Sequence, residues 1–162
     1  MINVFEGEYA FLSNFYFSPM IIRNVVYTTN EHFFQAMKTL DPRERQGIIL
    51  APTPGEAKRL GRKVSLRKDW EDIKEEVMLI GLRHKFSNPD LRRKLLATGN
   101  EELIEGNHWC DNFWGVCHCL KCQDKVGQNN LGKLLMELRE EIKKETVFAQ
   151  KLSFKRVSNE II

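Results

Sequence analysis

The sequence predicts a helix-rich α+β fold, a single domain with a small β-sheet. Two observations set the class. Short runs of β-branched and aromatic residues cluster in the first thirty positions, and helix signals, with apolar residues at intervals of three and four, dominate after them. A third sets the domain count. With 162 residues, 42% hydrophobic and 29% charged, the chain is of a size to bury one core without staples.

The elements follow in order. Met20-Ile21-Ile22-Arg23 and Val25-Val26-Tyr27-Thr28 flank Asn24 after Pro19, the pattern of a hairpin. The next stretch, Glu31 to Lys38, predicts a helix with Glu31, Gln35 and Lys38 on one face and Phe33, Met37 and Leu40 toward the core. Thr28 and Glu31 are spaced as a capping box at its start. Thr53-Pro54-Gly55-Glu56 is a second capping box, opening a helix that ends near Gly61. Asp69 is placed to cap a long helix through Phe86, with Trp70, Ile73, Val77 and Ile80 as its core stripe. Asn88-Pro89 starts another, with Leu91 and Leu95 inward and Gly99 after its end. Glu102 to Glu105 reads as a short strand. A last helix after Gly127 carries Leu131, Leu135, Leu138 and Ile142. Beyond Glu145 the pattern dissolves, so residues 1–145 are expected as the domain and 146–162 as a C-terminal tail.

Composition narrows the function classes. A formal charge of +3 does not announce a nucleic-acid binder, although six basic residues between Lys58 and Lys68 could serve a phosphate-bearing substrate. No apolar run is long enough to cross a bilayer, and MINVFEGEYAF lacks a basic-then-apolar leader. A cytoplasmic location without a membrane partner is the expectation. Cys110, Cys117, Cys119 and Cys122 crowd into thirteen positions; reduced thiols or a metal site are favoured there over disulfides. Cys119-Leu120-Lys121-Cys122 is a knuckle that Cys117 and Cys110 could complete into a structural zinc site, with His108 and His118 as substitute ligands.

A carboxylate, an amide and an amine on one helix face, beside Ser13 and Asn14 among aromatics, suit a pocket for a sugar. Capping and solvation are the ordinary alternative for Glu31 and Lys38.

The blocks LSNF (Leu12 to Phe15), EHFFQAMK (Glu31 to Lys38), AKRLGR (Ala57 to Arg62), LRKDWEDIKEEVM (Leu66 to Met78), KF (Lys85-Phe86), LLATG (Leu95 to Gly99), LIE (Leu103 to Glu105), DNFWG (Asp111 to Gly115) and GQNNLGKLLMELRE (Gly127 to Glu140) occur in that order. The series resembles the NADAR or YbiA-like N-glycosidases over residues 4–143. The resemblance implies hydrolysis of a bond between a phosphorylated ribose and a base. Its two implied substrates are ADP-ribosylated guanine in nucleic acid, the product of a cognate ADP-ribosyltransferase toxin, and phosphoribosylated intermediates of riboflavin synthesis. A non-catalytic module binding ADP-ribose or NAD is the alternative from another class. No metal or cofactor is implied for the chemistry.

Cleaving a C1–N bond requires a carboxylate near the developing charge, a proton for the departing base and a nucleophile. Glu31, Asp111 and Glu105 are the carboxylate candidates, and Lys38 could attack C1 as an amine if burial lowered its pKa. Ser13, Asn14, Phe15, Gln35, Trp114, Gly115 and Asn129 are expected to hold the substrate, with Arg62 on its phosphate. The Gly127 to Gly132 turn into a helix is expected to offer backbone N–H groups to an anion. The cysteine-rich stretch, residues 116–126, replaces a shorter glycine-rich loop of the relatives, so substrate choice is where the implied function is least constrained.

Overall fold

A computed structural model describes the backbone of residues 1–161 and the side chains of residues 1–152. Its first paired segment is the expected hairpin. Arg23 and Asn24 have φ of 49° and 64°, the left-handed pair that a two-residue type I′ turn requires. They join β1 (Met20–Ile22) to antiparallel β2 (Val25–Tyr27), with Met20 opposite Tyr27. Those two side chains are buried, and Ile21 and Val26 between them face out. The ring of Tyr27 meets Phe33 edge-on at 5.2 Å, which seats the hairpin on the first helix.

That helix, α1 (Asn30–Ala36), is buried along its whole length. It packs against α2 (Pro42–Ile49), α3 (Pro54–Gly61) and α4 (Trp70–Lys85). A helix with no face in water must satisfy its polar side chains internally. Asn30 Nδ2 accordingly donates to Asn14 Oδ1 at 2.8 Å, and His32 reaches the Thr29 hydroxyl at 2.7 Å and the Ala51 carbonyl at 3.0 Å.

Several ends differ from expectation. The cap of α1 is Thr29, which accepts from the His32 N–H, so the anticipated Thr28–Glu31 box does not form and Glu31 is released from any capping duty. The helix stops at Ala36, which puts Lys38 in the turn beyond it and leaves Leu40 65% exposed rather than in the core. Asp69 does not cap α4 because its carboxylate is held by Arg67 at 2.6 Å. Helix α2 was not anticipated as an element, although Asp41 caps it and Pro42 opens it. A 3-10 helix, Gly7–Leu12, occupies a region read as strands and turns.

Helix α5 (Pro89–Ala97) starts on Asn88, whose side chain accepts from the N–H groups of Asp90 and Leu91. Helix α6 (Asn130–Ile161) lies on α4 and α5 through buried Leu131, Leu135, Leu138 and Ile142. The boundary expected at residue 145 falls inside this helix; its buried stripe includes Ile142, and Val147, Phe148 and Leu152 beyond it are exposed among the described side chains. The segment read as a strand contributes a single bridge, Leu103 to Ile2. A second two-stranded sheet, parallel, pairs β3 (Gly106–Asn107) with β4 (Val116–Cys117). No helix among the described residues is long and apolar enough to cross a membrane.

Candidate active site

Between α1 and the irregular segment 105–115 lies a cavity of about 310 Å³. Its two walls are built by different means.

The helical wall presents Glu31, Phe34 and Gln35 from α1, with Lys38 just past its end and Lys58 from α3. Glu31 is only 6% exposed, and burial raises its carboxyl pKa; Gln35 Nε2 donates to it at 2.7 Å and partly offsets that. Burial likewise lowers the Lys38 amine, against the opposing pull of Glu31. Lys38 thus meets the condition set for it as a nucleophile. Gln35 lies so close to α3 that a side chain at Gly61 would overlap its amide.

Ser13, Asn14 and Phe15 close one end. Their loop is pinned from below by Lys85, whose ammonium donates to the Ser13 carbonyl at 2.7 Å. Lys85 is fully buried, and loss of solvent lowers its pKa to about 7. Asn14 lines the cavity but spends its amide on Asn30 and the Met78 sulfur.

The opposite wall has almost no regular structure. Asp111 Oδ1 accepts from the N–H groups of Phe113 and Trp114 at 3.1 and 2.9 Å, and Asn107 holds the Asp111 backbone through both ends of its own amide. Glu105, Asp111, Trp109 and Trp114 line the cavity from this side. Burial first, then the Asp111 and Glu31 charges against the pull of Lys58, raise Glu105 to about 8. Its Oε2 is buried with no partner among the described residues. A carboxyl in that state carries its proton at neutral pH and can give it away.

Four expectations are corrected by geometry. Asn129 is a brace, not a sugar contact: its Oδ1 accepts from the Glu105 N–H at 3.0 Å and its Nδ2 donates to the Leu103 carbonyl at 2.9 Å. At the start of α6 the N–H groups of Gln128, Asn129, Asn130 and Leu131 already donate to the carbonyls of Asn112, Gly115, Phe113 and Trp114, so these four are not offered to an anion. Gly115 is buried behind the wall, where any side chain would overlap the Glu105 carbonyl and carboxylate, so it positions Glu105 rather than touching substrate. Arg62 is exposed at the end of α3; its charge bears on Lys38, but it does not line the cavity.

From the same basic cluster it is Lys58 that lines the cavity, and Trp109, which also lines it, was missed altogether. Lys58 Nζ lies 5.6 Å from the Trp109 ring centroid and 5.9 Å from that of Phe15, bridging the two walls. Lys58 stood in the basic cluster with nothing to single it out. The available signal for Trp109 was a tryptophan two residues before Asp111, and it is 59% exposed.

Beside this wall the sulfurs of Cys110, Cys117, Cys119 and Cys122 converge within 4.8 Å of one another. His108 and His118 face each other at 6.1 Å and do not join that group.

The fold is shared with a known protein, and the sequence with a known family. The sequence model of the NADAR domain matches residues 3–143, and the chain belongs to that family. It is 42% identical over 140 residues to the N-glycosidase YbiA of Escherichia coli, covering 85% of this chain and 84% of that protein. A riboflavin biosynthesis protein of Vibrio vulnificus is 37% identical over 146 residues, which span 88% of this chain and 38% of the relative. The NMR structure of Escherichia coli YbiA superposes with a TM-score of 0.76 at 38% identity, over 91% of this chain and 89% of that one.

Proposed function

We propose that the protein is an N-glycosidase that cleaves the C1–N bond of a phosphate-bearing ribose, and that its substrate is ADP-ribosylated guanine in nucleic acid. The observation that carries this reading is the meeting, in one cavity, of the carboxyl groups of Glu31, Glu105 and Asp111, an amine of lowered pKa and the rings of Phe15, Trp109 and Trp114. The name of the Escherichia coli relative supports the reaction class.

The residues divide the chemistry between the two walls. With the ribose opened, C1 is doubly bonded to the base nitrogen; the Lys38 amine adds to C1, and Glu31 passes the proton that Nζ gives up on to that nitrogen. The C1–N bond to the base then breaks as the departing nitrogen receives the proton of Glu105. Water hydrolyses the resulting imine, which frees the sugar as its aldehyde, regenerates the amine and returns a proton to Glu105. One water is consumed for each bond cleaved. Asp111 faces the same space and stabilises positive charge at C1. Phe15 and Trp114 stack on the base, and Lys58 meets a phosphate.

The basic stretch from Lys58 to Lys68 favours a pyrophosphate-bearing nucleic acid, with a cognate ADP-ribosyltransferase toxin as the source of the modified base. A second reading, hydrolysis of phosphoribosylated riboflavin intermediates, is supported by the likeness to the riboflavin biosynthesis protein of Vibrio vulnificus. The deciding experiment gives the purified protein both substrates side by side and identifies the released base and sugar. Free guanine in the nucleic acid with released ADP-ribose is expected. Release from the small phosphoribosyl substrate alone selects the second reading. Tight ADP-ribose binding by calorimetry with no turnover on either would leave a binding module.

A further inference from the structure

We propose that Cys110, Cys117, Cys119 and Cys122 form a tetrahedral structural zinc site that holds one wall of the cavity in shape. The site stands on its own geometry, and only its consequence for the cavity rests on the function proposed above. Four thiolates at the usual zinc–sulfur distance of about 2.3 Å put their sulfurs roughly 3.8 Å apart. The four sulfurs here all lie within 4.8 Å of one another, and Cys110 and Cys119 approach to 3.4 Å.

The backbone is arranged around the sulfurs. The N–H groups of Cys110 and Cys119 donate to Cys117 Sγ at 3.2 and 3.4 Å, the bonds that orient a metal-bound thiolate. Cys110 has φ of 65°, a conformation disfavoured for any residue with a Cβ. Its sulfur reaches the other three from that turn. All-sulfur donors select a soft or borderline ion such as zinc over magnesium or calcium.

The placement gives the ion a role. Cys110 stands between Trp109 and Asp111, both of which line the cavity. Cys117 lies in β4, paired with Asn107 of β3, and Asn107 is the residue that grips the Asp111 backbone. One ion therefore ties both flanks of the Trp109–Asp111 segment. Zinc here orders the wall and takes no part in the bond cleavage.

The test uses the full chain, purified without chelator and with thiols kept reduced. Elemental analysis and native mass spectrometry should find one zinc per chain. Exchange with cobalt should produce the intense visible bands of a tetrahedral thiolate site. Cys119→Ser and Cys122→Ser should each lose stoichiometric metal. Stripping the ion should change tryptophan emission, and that change should largely vanish in Trp109→Phe. A chain that holds no zinc and gives no cobalt bands overturns the site. So does a mass lower by two hydrogens in protein purified without reductant or chelator, which would mark a disulfide within the cluster in place of a metal. Bound zinc whose removal leaves emission untouched overturns the role in the wall. Loss of turnover on stripping with substrate affinity intact overturns the structural assignment in favour of a catalytic ion.

Discussion

The two walls of the cavity are made in opposite ways. On one side, α1 buries every residue of a regular helix, so Glu31 and Gln35 inherit their positions from helical geometry. On the other, residues 105–115 contribute two strand residues, and side chains do the work of secondary structure. Asp111 caps its own turn, Asn107 holds Asp111, and Asn129 holds Glu105 and Leu103. A helix carries its side chains to fixed positions even when one is exchanged. A wall built from specific amides fails one hydrogen bond at a time. Substitutions on the helical wall should therefore strike chemistry with little structural damage, and those behind the loop wall should strike structure first.

The largest effect is expected at Lys38. Lys38→Arg keeps the charge and removes the nucleophilic amine, so kcat should fall by about 10³-fold or more, as loss of an activated nucleophile does. Circular dichroism and melting should stay close to wild type, because Lys38 lies beyond the end of α1. Borohydride added during turnover should trap the sugar on the peptide containing Lys38. Near-normal turnover in Lys38→Arg would remove the imine route and leave Glu31 or Asp111 activating water.

Glu105→Gln comes next. It retains shape but cannot give a proton, and should lower kcat by roughly 10²-fold or more, the usual worth of a general acid. Wild-type turnover should decline as pH rises through about 8, where Glu105 loses its proton. The variant should lose the alkaline limb. Stability moves with the same titration. The folded pKa lies above the ordinary value of about 4.3, so the folded state binds more protons between these pH values. The contribution of Glu105 to stability is full below that ordinary value and is lost as pH rises to about 8. Glu105→Gln should flatten that slope in a series of melting curves.

The same contrast explains which parts of the molecule could be read in the sequence. The hairpin, α3, α4, α5 and the core stripe of α6 each follow from short-range rules: two turn residues at positive φ, a capping Thr or Asn, an apolar repeat. Glu31 and Gln35 were found together because helical spacing ties them, and Lys38 follows in the turn just past the helix end. Where a choice depended on distant partners, local rules failed. Thr28 reads as the cap of α1 until His32 is seen between Thr29 and Ala51. Asp69 suits a cap until Arg67 claims it. Asn129 reads as a ligand-binding residue because nothing local reveals that Glu105 and Leu103, about 25 positions earlier, occupy its amide.

Asn129→Ala tests the loop wall directly. It strips the Glu105 N–H and the Leu103 carbonyl of their partners, and leaving buried groups unmatched costs about 1–3 kcal/mol. For a domain of this size each kcal/mol lowers Tm by roughly 2–4 °C. The expected signature is a lower Tm, with activity at low temperature reduced less than by Glu105→Gln. A variant that melts like wild type but binds substrate poorly would return Asn129 to the role of a ligand contact.

The smallest effects separate Lys58 from Arg62, which lie one helical turn apart on α3 and its cap. Lys58 lines the cavity, so Lys58→Ala should raise KM by about tenfold on any phosphate-bearing ribose, the worth of one charge-assisted contact. Arg62 is exposed and outside the cavity wall. On a small phosphoribosyl substrate Arg62→Ala should change KM by less than about fivefold, the ceiling for an exposed pair worth up to ~1 kcal/mol. On a modified oligonucleotide the outcome should differ, since the polymer extends beyond the cavity and its phosphates can reach the outer basic residues. There, Arg62→Ala should weaken binding further and reduce the salt slope of affinity by about one contact. Equal, small effects on both substrates would mean that the enzyme touches only what enters the cavity. The basic cluster would then be a solvated face, and the case for a nucleic-acid substrate would lose its support from this surface.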